Sequence, residues 1–248
     1  MEVINNVIVA KNVNKVYEAS KFKIENLNLI FKEGQITGLV GKNGSGKTTI
    51  MKMMVGLLPI DNGEVRILNK DISDGFNSIK NNIGYMHAEH YFYEYLTGRE
   101  FLFFVGKIKG LEEALIDKRI REYSEYFELK SLLDTTIINY SHGTKQKISF
   151  ISQIINNPSI LLLDEPLNGL DPVIIKKIRE FIKKISIENG TCVIVSAHQL
   201  SFIEEICDRV IVINDGKIIM DKEISSSNLK VFENDILHIL KNGAINNV

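Results

Sequence analysis

The sequence predicts an α/β fold: a mostly parallel sheet covered by helices, with an N-terminal antiparallel β part and an inserted helical subdomain. Three observations predict it. Short β-rich runs alternate with stretches of helical periodicity. A glycine-rich segment, Gly41–Thr48, joins a short apolar strand to a helix. Residues 87–158 become mostly helical before β-rich runs resume.

In chain order, Val7–Tyr17 and Phe22–Phe31 read as strands, with a turn at Glu33-Gly34 after them. Gln35–Val40 is a short apolar strand. A helix is expected from Lys47 to about Leu58, because Ile50, Met54 and Leu57 recur at helical spacing. Asp61-Asn62-Gly63 is a turn, and Glu64–Leu68 and Asn82–Met86 read as strands. The helical segment opens with crowded aromatics: Tyr91, Phe92, Tyr93, Tyr95, Phe101, Phe103 and Phe104. The sheet resumes with Ile160–Leu163, Thr191–Ser196 and Arg209–Asn214, and Asp215-Gly216 turns into Lys217–Met220. From Ser225 the chain is a polar tail, weakly amphipathic around Phe232–Leu240.

Composition sets the class. The chain has 248 residues, 44% hydrophobic and 25% charged, as in an ordinary globular protein. A net charge of −1 speaks against a broad basic face, so no nucleic-acid partner is expected. The two cysteines, Cys192 and Cys207, form no C-x-x-C pair, which points to a reducing compartment. No stretch of about 18 apolar residues is present, and the N-terminus lacks a signal pattern, so any membrane role is expected to run through a partner.

Gly41-Lys42-Asn43-Gly44-Ser45-Gly46-Lys47-Thr48 fits G-x-x-x-x-G-K-[ST]. Glycines let the backbone turn several N–H groups inward onto phosphate oxygens. The following helix adds its positive end. Lys47 supplies a cation for the β- and γ-phosphates, and the Thr48 hydroxyl suits Mg²⁺. Strand before and helix after make this a P-loop NTPase core that binds a nucleoside triphosphate such as ATP. A second apolar run, Ile160–Leu163, ends in Asp164-Glu165. Asp164 suits an Mg²⁺-associated carboxylate, and Glu165 is placed to polarise an attacking water. The alternative is a plain N-cap or loop acid pair, a minor one beside the P-loop.

With these motifs in order, the chain resembles an ABC-type nucleotide-binding domain over roughly residues 3–225. Tyr140-Ser141-His142-Gly143-Thr144-Lys145-Gln146 resembles the family signature, and its place before the acidic strand separates ABC ATPases from other P-loop proteins. Gly169-Leu170-Asp171 resembles the D-loop, and Ser196-Ala197-His198 the switch-histidine motif. The resemblance implies one domain over 1–248, with 1–86 and 159–225 as the nucleotide-binding sheet core, 87–158 as the helical subdomain and 226–248 as a tail. It implies catalytic roles for Glu165, His198 and Lys47, and Mg²⁺ at Thr48 and Asp164. Nucleotide contacts are implied for Tyr17, Gly41, Asn43, Gly44, Ser45, Gly46, Lys47, Thr48, Thr49, Ser141, Gly143 and Asp171. Tyr17 would face adenine, though an ordinary strand-end tyrosine fits as well. Ser141 fits a helix N-cap, a contact to the opposed nucleotide, or both.

The resemblance implies two such domains sandwiching two ATP molecules. It also implies a separate integral membrane subunit, which places the chain at the cytoplasmic face of a bacterial membrane. The segment from Glu89 through Thr97-Gly98-Arg99-Glu100-Phe101 resembles exporter-type members, which move drugs, peptides, lipids or ions outward. The aromatics at Tyr91–Tyr95 are expected either to receive a helix of the membrane partner or to pack the helical subdomain. Two departures stand out. His142 replaces the usual signature glycine, where it would either crowd the opposed nucleotide or add a proton-sensitive donor. Ala88 falls where the family carries its Q-loop glutamine, with His87 and Glu89 beside it. The alternatives to a transporter are a soluble ABC ATPase in a cytoplasmic assembly process and a catalytically weak half of a heterodimer.

Overall fold

The computed structural model describes residues 5–17, 22–74, 79–197 and 200–224. His198 and the tail from Ser225 therefore lie outside the described residues. The strands are β1 (Asn6–Val16), β2 (Lys23–Lys32), β3 (Ile36–Val40), β4 (Asn62–Ile67), β5 (Lys70–Asp71), β6 (Ile83–Met86), β7 (Ile160–Asp164), β8 (Cys192–Ser196), β9 (Arg209–Asn214) and β10 (Lys217–Glu223). The helices are α1 (Lys47–Met54), α2 (Gly98–Ile108), α3 (Glu113–Tyr126), α4 (His142–Ile154), α5 (Pro172–Asn189) and α6 (Leu200–Ile206).

Two sheets form. One is four-stranded and antiparallel, in the order β2-β1-β4-β5. The other is six-stranded, in the order β10-β9-β3-β8-β7-β6, and only β10 runs antiparallel to its neighbour. Strands β3, β7 and β8 are buried at every position, which is why they read as unbroken apolar runs rather than alternations. Their side chains divide between two cores. Leu161, Leu163, Val193 and Val195 face the core built with α2–α6. Ile160, Leu162, Cys192 and Ile194 face the core shared with α1 and the antiparallel sheet. Both cysteines are buried, and burial pushes the Cys192 thiol up to about 12 and the Cys207 thiol well above its ordinary value.

The ends of the elements follow local chemistry. Thr97 and Glu100 form a reciprocal capping box at the start of α2. Asp171 caps α5 by accepting from the N–H groups of Val173 and Ile174 at 3.0 Å each. Helix α1 stops at Met54, a turn short of the Leu58 expected from periodicity, because Gly56 takes the left-handed conformation (φ 71°) that closes a helix. Leu57, one of the apolar residues at helical spacing, lies past the helix end and is 51% exposed. Asn62 and Gly63, expected in a turn, already lie within β4, Asn62 opposite Asn14 of β1, and β10 runs on to Glu223 rather than stopping at Met220.

Candidate functional site

Ligands of open α/β sheets bind beyond the carboxyl ends of the parallel strands. Here β3 leads into the glycine-rich loop, β7 delivers Asp164, and β8 delivers Ser196. A cleft of about 710 Å³ opens at this edge, lined by Tyr17, Phe22, Asn43, Gly44, Gly46, Lys47, Thr48, Thr49 and Glu165. Residues separated by more than a hundred positions thus share one cavity.

The loop has little freedom to carry side chains. Gly46 sits at φ 110°, and a Cβ there would come within 2.9 Å of the Phe22 ring. A Cβ on Gly41 would overlap the Ile213 carbonyl and the Ser45 hydroxyl. Helix α1 has no side-chain cap at its N-terminus, so its first N–H groups face the loop without an internal acceptor. Lys47 is only 6% exposed, and its Nζ donates to the carbonyls of Gly41 (2.8 Å) and Lys42 (3.1 Å). Burial lowers the basicity of Lys47, and the Glu165 and Asp164 carboxylates oppose that effect.

Asp164 is 1% exposed and fully engaged: Oδ2 accepts from the Thr48 hydroxyl and Oδ1 from the Ser196 hydroxyl, each at 2.6 Å. The pairing of β7 with β8 sets Asp164 directly across from Ser196. The Ser196 hydroxyl in turn accepts from the Glu165 backbone N–H at 3.0 Å. Glu165 takes φ 52°, rare for a residue with a side chain. Its carboxylate oxygen Oε2 accepts from Asn168 Nδ2 at 2.9 Å.

Ser141, Gly143 and Asp171 are not in this cleft. Ser141 caps α4 by accepting from the Thr144 N–H at 3.2 Å, and its side is exposed, as is that of Asp171. The His142 ring lies over Gly169 and 5.5 Å from the His90 ring, on a residue that is itself exposed. Phe22 was missed as a cleft residue. It stands across the strand end from Tyr17, whose N–H donates to its carbonyl at 2.9 Å, and their ring centroids are 6.1 Å apart. Two aromatics five positions apart in the sequence were the available signal.

Among the aromatics that open the helical segment, Phe92 points inward onto Phe101 (5.1 Å between centroids), whereas Tyr91, Tyr93 and Tyr95 are 73%, 63% and 86% exposed. His87 and His90 near them are both less basic than an ordinary imidazole. Burial is the main cause for each, followed by the charge of Lys52 for His87 and of His142 for His90. The folded state therefore favours neutral rings, and the unfolded chain takes up protons first. Stability from these rings is intact above the ordinary value of 6.5 and is lost as pH falls through it. Thermal melts should show a falling Tm from pH 7 to pH 5.5, with a flatter profile in a His87→Asn/His90→Phe variant. An equally steep profile in that variant would place the proton uptake elsewhere.

Comparison with known proteins gives a consistent picture. The family model described as ABC transporter matches residues 24–168. The bacitracin transport ATP-binding protein BcrA of Enterococcus faecalis is 34% identical over 226 residues, which span 91% of this chain and 72% of that protein. The linearmycin resistance ATP-binding protein LnrL of Bacillus subtilis is 33% identical over 210 residues, 85% of this chain and 67% of that one. Among solved structures, the dimeric post-hydrolysis state of the ATP-binding cassette MJ0796, bound to ADP and Pi, superposes with a TM-score of 0.81 at 27% identity. That match covers 88% of this chain and 99% of that one.

Proposed function

This chain belongs to the ABC transporter ATP-binding family, and from that premise we propose that it hydrolyses ATP to drive export through a separate membrane-spanning subunit. The observation that carries the proposal is the single cleft in which the glycine-rich loop, Lys47, Thr48 and Glu165 meet, with Asp164 bonded to Thr48 behind it. The residues fit a nucleoside triphosphate with its metal. The cradle at Gly41 and Gly46 tolerates no side chain, the amide end of α1 suits phosphate, and Thr48 with Asp164 is an all-oxygen donor pair suited to Mg²⁺. Mg²⁺, when bound, supplies positive charge against the phosphates. Tyr17 and Phe22 offer an apolar wall for the base.

In this reading Glu165 takes a proton from the attacking water as its oxygen bonds to the γ-phosphorus and the bond to ADP breaks. Lys47 balances charge on the phosphates. Ser141, Gly143 and Asp171, outside their own cleft, serve the nucleotide of a second ATPase domain, and His198 is the proposed γ-phosphate sensor. The dimeric cassettes among the structural neighbours support this arrangement. No helix among the described residues is long and apolar enough to cross a membrane; in this reading the membrane path is supplied by a partner. The names of BcrA and LnrL favour an antibiotic-type cargo.

Purification of the tagged chain from detergent-solubilised bacterial membranes tests the assignment. A near-stoichiometric integral membrane protein is expected, and exclusively soluble companions would overturn the transporter reading. The exposed tyrosines are the proposed docking anchors. A Tyr93→Ala/Tyr95→Ala variant should lower transport about tenfold or more, as truncation of interface aromatics does, while nucleotide binding is unchanged. Phe92→Ala should instead lower stability. Ala88 favours a second reading, a slow half-site in a heterodimer, and background turnover by a chain that still binds ATP would favour it.

A further inference from the structure

The left-handed backbone of Glu165 needs an explanation beyond its neighbours in sequence. A residue with a side chain at φ 52° costs about 1–3 kcal/mol and persists only where its surroundings hold it. Contacts at its N–H, its carboxylate and its carbonyl hold this one. Its N–H donates to Ser196, and its carboxylate accepts from Asn168. Its carbonyl accepts from Gln146 Nε2 at 3.2 Å.

Gln146 is unusual in its own right. It lies inside α4 yet is 1% exposed, and burying an amide is costly unless it is used. The Glu165 carbonyl accepts only, so the Gln146 nitrogen must face it, and the orientation of the amide is fixed. The Gln146 side chain also acts on the basicity of the nearby His90 imidazole, and neither its amide oxygen nor the His90 nitrogens have a partner at full hydrogen-bonding geometry among the described residues. His90 is held between Phe92 (5.6 Å) and His142 (5.5 Å). Ring contacts thus link Phe101 through Phe92 to His90, beside the amide that bonds the Glu165 carbonyl.

We propose that Gln146, backed by His90 and His142, is a positioning residue for hydrolysis, fixing the Glu165 peptide so that its carboxylate enters the nucleotide cleft. The proposal rests on the assignment of Glu165 as the base. It also gives His142 a task, as the outer wall that keeps His90 against the amide.

The test compares wild type, Gln146→Ala, Gln146→Glu and Glu165→Gln in the full chain, by steady-state and single-turnover ATPase assays, equilibrium ATP binding and thermal melting. Gln146→Glu keeps size and loses the donor, so it carries the test if the alanine variant melts early. Both Gln146 variants should lose about 10- to 100-fold in kcat, as small misplacements of a reacting group do, with ATP affinity within about two-fold of wild type. His90→Phe should show a smaller loss of the same kind. In a Glu165→Gln background, Gln146→Glu should add no further loss, because a positioning residue has nothing left to position. Full turnover by Gln146→Glu beside a silent Glu165→Gln overturns the proposal alone, as does an additive loss in the double variant. Full turnover by Glu165→Gln overturns the base assignment and the proposal with it.

Discussion

Lys47→Ala is expected to abolish measurable ATP turnover and to weaken ATP binding by about 10- to 100-fold, the worth of one hydrogen bond to a charged group. The side chain is buried at the start of α1, among two loop carbonyls and two carboxylates. Alanine removes the cation that faces the phosphates and leaves Asp164 and Glu165 without their counter-charge. The resulting negative field opposes a polyphosphate. The same loss relieves the burial of an ammonium group, so the melting temperature should move far less than affinity does. Titration with a fluorescent ATP analogue alongside a phosphate-release assay checks both effects, and wild-type affinity in the variant would remove Lys47 from the phosphate site.

Glu165→Gln is expected to separate binding from chemistry. Losing a general base typically costs about 10²- to 10⁴-fold in rate, whereas the amide keeps the size of the side chain and an oxygen for Asn168. The peptide N–H of residue 165 still donates to Ser196, and its carbonyl still accepts from Gln146. The variant should therefore bind ATP normally and accumulate as a nucleotide-bound dimer, visible by size-exclusion chromatography with ATP. Turnover at the wild-type rate would show that another group accepts the proton.

The legible part of the site is the part written in contiguous residues. Gly41–Thr48 announces itself because strand, loop and helix are consecutive, and Asp164-Glu165 because they close an apolar run. What stayed hidden depends on pairing at a distance. That Ser196 bonds Asp164 is a matter of sheet register between β7 and β8, which neither strand encodes alone. Phe22 joins the cleft because the antiparallel pairing of β1 with β2 sets it across from Tyr17. Gln146 occupies a helix interior, where a polar residue reads as solvent-facing until α4 is packed against the strand ends. The early end of α1 was legible in Gly56 but was outweighed by the spacing of Leu57.

The buried thiols have a practical consequence. Alkylating reagents attack the thiolate, and burial holds both native sulfurs protonated and out of reach. A single cysteine introduced at an open position such as Tyr95, 86% exposed, would be the one nucleophilic sulfur available to a maleimide dye. The chain thus accepts site-specific fluorophores without prior removal of its own cysteines, and approach of two labelled copies can be followed by energy transfer as ATP is added.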